Sequence, residues 1–195
     1  KRNEIDLTED YLLLDILVKE KQVSTIVHLA NPTVYTNNTS MGVTINMLKN
    51  VLDVCKNNNI RIIYLSSWEV YSGYETAELR IKEDVQKRPK GTYGETKSLC
   101  EELINIYKTN YKLRSIILRS CPLYGKAANR PKFIYNFIDK AIKNEDIITH
   151  QYKNGFPKME FLHINDFTKI LDIIISKDFG EEFNIGSNDF LSTKD

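Results

Sequence analysis

The chain has 195 residues, with 27 Lys plus Arg against 26 Asp plus Glu and a formal net charge of +1. That balance removes the long-range positive field by which nucleic acids and anionic membranes are gripped, leaving a small molecule or another protein as the expected partner. The length allows one ordinary domain with a small satellite lobe and argues against two large independent ones. No apolar run reaches the ~18 to 20 residues that span a bilayer, and no basic start leads into an apolar stretch. The chain therefore reads as soluble and cytoplasmic. Cys55, Cys100 and Cys121 are odd in number and sit in apolar patterns, so they read as core thiols rather than disulfides. His28, His150 and His163 lack HExxH or HxH spacing and read as structural, so no metal is expected.

In chain order, Thr8-Glu9-Asp10 predicts a helix start with Thr8 as capping residue, closed by Lys19 and Lys21. Residues 25–30 are almost wholly apolar, the pattern of a strand covered on both faces, and Asn31-Pro32 ends it. Met41, Ile45, Leu48, Leu52 and Cys55 recur at steps of four and three, one face of an amphipathic helix that Asn57 to Asn59 stops. A second covered strand over 60–65 runs into Ser66-Ser67, a helix follows over about 93–111, and a third strand covers 115–118. Parallel neighbours need crossover connections, so strands of this kind separated by helices predict an α/β, Rossmann-like parallel sheet with helices on both faces. Beyond Tyr124-Gly125 the pattern changes to a helix over 133–143, a hairpin around Asn154-Gly155, a helix over about 165–176 and a strand over 183–185. We read 1–125 as a partial dinucleotide-binding domain and 126–195 as a small substrate lobe, forming one folded body whose lobes can interleave.

Tyr93 and Lys97 stand four residues apart on the third helix, hence on one face and one turn from each other. A cation at ~4 Å in a medium of dielectric ~20 contributes ~4 kcal/mol, roughly three pKa units, which draws a phenol with pKa near ~10 towards neutrality. Taken singly, the pair reads as an exposed helical pair. Ser66 and Ser67 fall at the carboxyl end of a covered strand, where open α/β sheets bind ligands. A hydroxyl there can donate to a substrate oxygen while Tyr93 moves the proton. The plain alternative is a turn in which the serines bond only the backbone.

Strand, Ser66-Ser67-Trp68-Glu69-Val70-Tyr71, a loop of roughly twenty residues and then the Tyr93/Lys97 helix resemble the extended short-chain dehydrogenase/reductases of the sugar-nucleotide epimerase/dehydratase type. Further pieces fall in that family's order. They are Asp6-Leu7-Thr8, Val27-His28-Leu29-Ala30-Asn31, Leu118-Arg119 with Leu123-Tyr124-Gly125, the segment 161–166 beginning Phe161-Leu162-His163, and Phe183-Asn184-Ile185-Gly186. The resemblance implies that Ser67 orients the substrate oxygen, Tyr93 donates and accepts the proton, and Lys97 holds the nicotinamide ribose while lowering the tyrosine pKa. It places Asp6, Leu7, Leu29, Ala30, Asn31 and Ser120, with Tyr93 and Lys97, against NAD or NADP. It puts Glu69 where dehydratases and decarboxylases carry an acid/base glutamate, though a solvated loop carboxylate is the alternative. A sugar-nucleotide substrate and a homodimer joined through the helices of about 40–57 and 93–111 are implied as well.

The chain also departs from the pattern. Its eight glycines contain no GxxGxxG, so the resemblance implies that the first strand-helix-strand unit is missing and that this segment alone binds dinucleotide weakly. Trp68 replaces the dehydratases' usual Asp, Pro122 stands where an Asn is common, and Met159 beside Lys158 replaces a phosphate-binding Arg. The alternative expectation is a non-catalytic relative that binds a dinucleotide or a protein partner.

Overall fold

The computed structural model describes residues 5–32, 35, 37–126, 133–177, 179 and 181–194. Among these, the central sheet has four parallel strands in the order β1 (Thr25–His28), β2 (Arg61–Ser67), β3 (Ser115–Ser120) and β7 (Glu182–Ile185). The continuous apolar runs of β2 and β3 are explained by their central place, since both of their faces are covered. On one face α1 (Tyr11–Glu20), α2 (Asn38–Asn58) and α3 (Gly91–Tyr111) bury Leu48, Leu52, Ile104, Ile62 and Tyr64. On the other, α5 (Ile164–Ser176) packs Ile170, Leu171 and Ile174 on Ile63, Ile116 and Leu118. The doubly wound α/β architecture read from the sequence is the observed one. No helix among the described residues is long and apolar enough to cross a membrane.

The smaller elements are β4 (Leu123–Tyr124) with β6 (Leu162–His163), β5 (Lys158–Glu160) with β8 (Phe190–Ser192), and α4 (Phe133–Ile142). β7, from the 126–195 segment, pairs with β3 and completes the main sheet. Two local expectations need correction. Helix α1 begins at Tyr11 and its N-cap is Asp10, whose carboxylate accepts instead from the Asp6 N–H at 2.7 Å; Thr8 is spent on Asp6. The Asn154-Gly155 turn is closed by a bridge between Tyr152 and Gly155, but β5 beyond it pairs antiparallel with β8 rather than back across that turn.

Helix α2 is started by a reciprocal cap, in which Asn37 Oδ1 accepts from the Ser40 N–H at 2.8 Å while Ser40 Oγ accepts from the Asn37 N–H at 3.3 Å. It stops at Asn59, which takes the left-handed conformation with φ 54°. These boundaries set α2 beside the 5–10 segment, where Asn50 Nδ2 donates to the Leu7 and Thr8 carbonyls at 2.9 and 3.1 Å.

Candidate active site

All four parallel strands present their carboxyl ends at one edge, and register places Ser67 opposite Ser120 and Ser120 opposite Ile185. β2 passes directly into a 3-10 turn, Trp68–Tyr71, for which Ser67 is the N-cap: its Oγ accepts from the Glu69 N–H at 3.2 Å. The first turns of α3 lie over this turn, and Gly94 makes the approach feasible. Tyr93 is thereby brought near Ser67, whose side chain favours the ionised phenol. The three residues named from the sequence, Ser67, Tyr93 and Lys97, converge.

Lys97 is 5% exposed and Ser67 7%, while Tyr93 is half-buried. The Lys97 ammonium donates to the Leu65 carbonyl at 2.9 Å and the Tyr64 hydroxyl at 3.2 Å, and it stands 5.6 Å from the centroid of the Tyr93 ring. Burial pulls the Lys97 pKa down to about 8, against the charges of Cys100 and Glu101, which raise it. The Tyr93 phenol is pushed above its ordinary value, first by burial, then by the charge of Glu69; the nearby Ser67 side chain opposes the rise. This reverses the expected direction. The lysine sits over the ring face and bonds protein oxygens, so burial outweighs it at the phenol. Tyr35 packs a tilted ring on Tyr93 with centroids 4.9 Å apart.

Glu69 is half-buried at the turn, and burial raises its carboxyl pKa. Ser120 is buried, with its hydroxyl donating to the Cys121 carbonyl at 2.8 Å. Leu29, Ala30 and Asn31 follow β1 at the same edge, Leu29 exposed and the others half-buried. Asp6 lies farther along, its carboxylate accepting from Thr8 N–H at 2.9 Å and Thr8 Oγ1 at 2.6 Å. Leu7 packs against the first core cluster, and Asp6, Thr8, Gly42 and Asn46 border a hollow of about 420 Å³.

A larger cavity of about 840 Å³ opens between the 3-10 turn, the 74–83 loop and the 148–160 segment. Its lining includes Trp68, Tyr71, Arg119, Cys121 and Asn184 but none of Ser67, Tyr93 or Lys97. The cavity touches the site through the residues that follow Ser67 and Ser120.

Sequence reasoning passed over several residues here. His28, read as structural, is 4% exposed with Nε2 unpartnered and its ring stacked on Tyr64 at 5.8 Å. Glu101 and Tyr64 had no motif, although Glu101 follows Lys97 at a second four-residue step that could have been noticed.

Residues 1–186 match the NAD dependent epimerase/dehydratase family. The chain is 29% identical over 206 residues to dTDP-D-glucose 4,6-dehydratase of Dictyostelium discoideum, covering 97% of this chain and 47% of the relative. The mouse dTDP-D-glucose 4,6-dehydratase is 30% identical over 129 residues, 66% of this chain and 35% of the relative. Among solved structures, dTDP-glucose 4,6-dehydratase from Bacillus anthracis in complex with NAD aligns with a TM-score of 0.82 at 23% identity, covering 98% of this chain and 60% of that one. UDP-N-acetylglucosamine 4-epimerase from Bacillus cereus aligns with a TM-score of 0.78 at 30% identity, over 95% and 64%. The chain thus spans about half the length of the first of these curated relatives and under two thirds of the two solved ones. With its parallel sheet and with the family match over nearly its whole length, the chain belongs to the NAD dependent epimerase/dehydratase family.

Proposed function

We propose that this chain carries the Ser-Tyr-Lys centre of an NAD-dependent enzyme that epimerises, dehydrates or reduces a sugar nucleotide at a hydroxyl or ketone. The observation that carries the proposal is the convergence of Ser67, Tyr93 and Lys97 where β2 ends and α3 begins. Tyr93 moves the proton of the reacting hydroxyl, and Ser67, close to the phenol, orients that oxygen. Glu69 stands beside the phenol as a further acid/base group, its proton affinity raised by burial.

The residues present fit NAD along one line of the sheet edge. The hollow beside Asp6, Thr8 and Gly42 suits the adenosine end, since a side chain added at Gly42 would meet only open space. Leu29, Ala30 and Asn31 follow, and Lys97 and Ser120 lie at the nicotinamide end. When bound, NAD supplies hydride exchange at the carbon bearing the reacting hydroxyl. NAD is preferred over NADP because solved relatives, including a UDP-glucose 4-epimerase from Thermus thermophilus, hold NAD. In the same reading the protein is cytoplasmic, and outward residues of α3 such as Leu99 (47% exposed) and Ile106 (51%) seat a second copy.

The test is Tyr93→Phe in the full-length protein, assayed with UDP- and dTDP-sugars. Turnover should fall at least ~100-fold, within the range for a lost general acid/base, while NADH affinity changes little. Unchanged turnover removes the catalytic assignment. One observation favours a second reading, a non-catalytic dinucleotide- or protein-binding relative: the Lys97 ammonium is buried and already bonded to protein oxygens. Tight NADH binding with no turnover on any nucleotide sugar would select it.

A further inference from the structure

Tyr93, Lys97 and Glu101 succeed one another at four-residue steps along α3, so one helix face carries all three. Glu101 is 0% exposed, and its carboxylate is engaged from three sides. Ser66 Oγ donates to Oε1, and Lys87 Nζ donates to Oε2 at 3.2 Å. Arg119 forks onto it with Nε at 3.2 and 3.1 Å from the two oxygens and Nη2 at 2.8 Å. Arg119 is itself 3% exposed, and its remaining contacts leave in other directions. Nη1 donates to the Tyr71 hydroxyl at 2.7 Å and the Glu83 carbonyl at 3.0 Å, while Nη2 pairs with Glu182 on β7. Tyr71, Glu83 and Arg119 all line the 840 Å³ cavity. One guanidinium thus joins the catalytic helix, the outer strand and the wall of the cavity.

A buried ion pair of this kind is weak evidence for stability, because apolar residues of equal volume often serve as well. What a planar fork on a carboxylate does fix is direction. Resting on the catalytic reading above, we propose that Glu101 is a positioning residue: its ion pair with Arg119 sets the rotation of α3 so that Tyr93 and Lys97 face the sheet edge, and ties that orientation to the cavity wall.

The same contact has an electrical consequence at Lys97. The groups that face Lys97 are Tyr64 from β2, His28 from β1, and Tyr93, Cys100 and Glu101 from α3. Glu69 and Tyr35 act on Tyr93, and Arg119 and Lys87 act on Glu101. Removing the Glu101 charge withdraws support from the ammonium and leaves Arg119 and Lys87 less balanced, so both effects push its proton off at lower pH.

The experiment uses the full-length protein with Glu101→Gln, Arg119→Lys and the double variant Glu101→Gln/Arg119→Met, checked by circular dichroism. Lys97 is followed by NMR titration of its side-chain carbon, and turnover is measured with UDP- and dTDP-sugars. Glu101→Gln should lower the Lys97 midpoint by roughly one pH unit and reduce kcat on the order of tenfold or more, with KM moving less. Arg119→Lys keeps the charge but loses the fork, so kcat should fall while the Lys97 midpoint stays near its wild-type value. A folded Glu101→Gln protein with wild-type midpoint and kcat overturns the proposal. If Glu101→Gln does not fold, the double variant decides, since wild-type kcat without either charge is equally fatal. The Lys97 titration needs no turnover, so failure of the catalytic reading, seen with Tyr93→Phe, is distinguishable from failure of this one.

Discussion

A methyl group on Gly94 would stand 2.5 Å from the carbonyl oxygen of Glu69, closer than real contacts allow. The α3 residue following Tyr93 therefore touches the backbone of the turn that follows Ser67, and this contact sets the spacing between phenol and hydroxyl. In an open helix Gly→Ala is favourable by about 1 kcal/mol. Here the obstacle is backbone on both sides, so relief requires α3 to shift away. Gly94→Ala should destabilise the protein by about 1 to 3 kcal/mol, the usual penalty of overpacking, and should lower turnover further than the loss of folded protein explains. Chemical denaturation paired with a kcat measurement checks it; an Ala variant as stable and active as wild type would show that the contact sets nothing.

Lys97 gives the pH dependence a direction. Its pKa is held down to about 8, mainly by burial, so the ammonium is intact below that value and lost as pH rises through it. The Tyr93 phenol moves the other way and holds its proton over the same range. In kcat/KM, which reports the free enzyme, the basic limb should therefore fall near pH 8 and belong to the lysine. For folding the sign is opposite: the unfolded lysine keeps its proton up to about 10.5, so this group's contribution to stability improves from about pH 8 to 10.5. Lys97→Arg, which cannot lose its charge, should abolish the limb while turning over slowly because the guanidinium does not fit an ammonium site. A limb near pH 8 that survives in Lys97→Arg would reassign it to another group.

The central strands were legible because β2 and β3 are covered on both faces, which forces continuous apolar runs such as Ile62-Ile63-Tyr64-Leu65. Tyr93 and Lys97 were legible because helical spacing alone puts them on one face. The Glu101–Arg119 pair was not, since its members lie eighteen residues apart on different elements and only the packing of α3 on β3 brings them together. Nor was the placing of β7, a four-residue strand whose partner, β3, precedes it by more than sixty residues. The two-residue pair of β4 and β6 is too short to leave any period in the sequence. Tyr93's proton affinity was misjudged for a related reason: spacing gives the nearness of Lys97 but not the burial of the phenol, nor that the ammonium turns to Tyr64 and Leu65.

His28 should make the fold sensitive to acid. Its imidazole is almost fully enclosed, with Nε2 unpartnered, and burial first, then the Lys97 charge, lowers its pKa to about 4 from an ordinary 6.5. In the unfolded chain it takes a proton below about 6.5, while in the folded chain it refuses one until about 4. Unfolded protein therefore binds more protons across that window, and stability falls as pH drops through it. The difference of roughly 2.5 pH units corresponds to about 3 kcal/mol, complete by pH 4. Carboxylates add their own acid dependence, so the decisive comparison is with His28→Leu, which keeps an apolar fill and cannot titrate. Urea unfolding at pH 7 and pH 4.5 should show wild type losing more stability than His28→Leu by most of that amount. Equal losses in the two proteins would mean that His28 reaches water, or finds a partner, in solution.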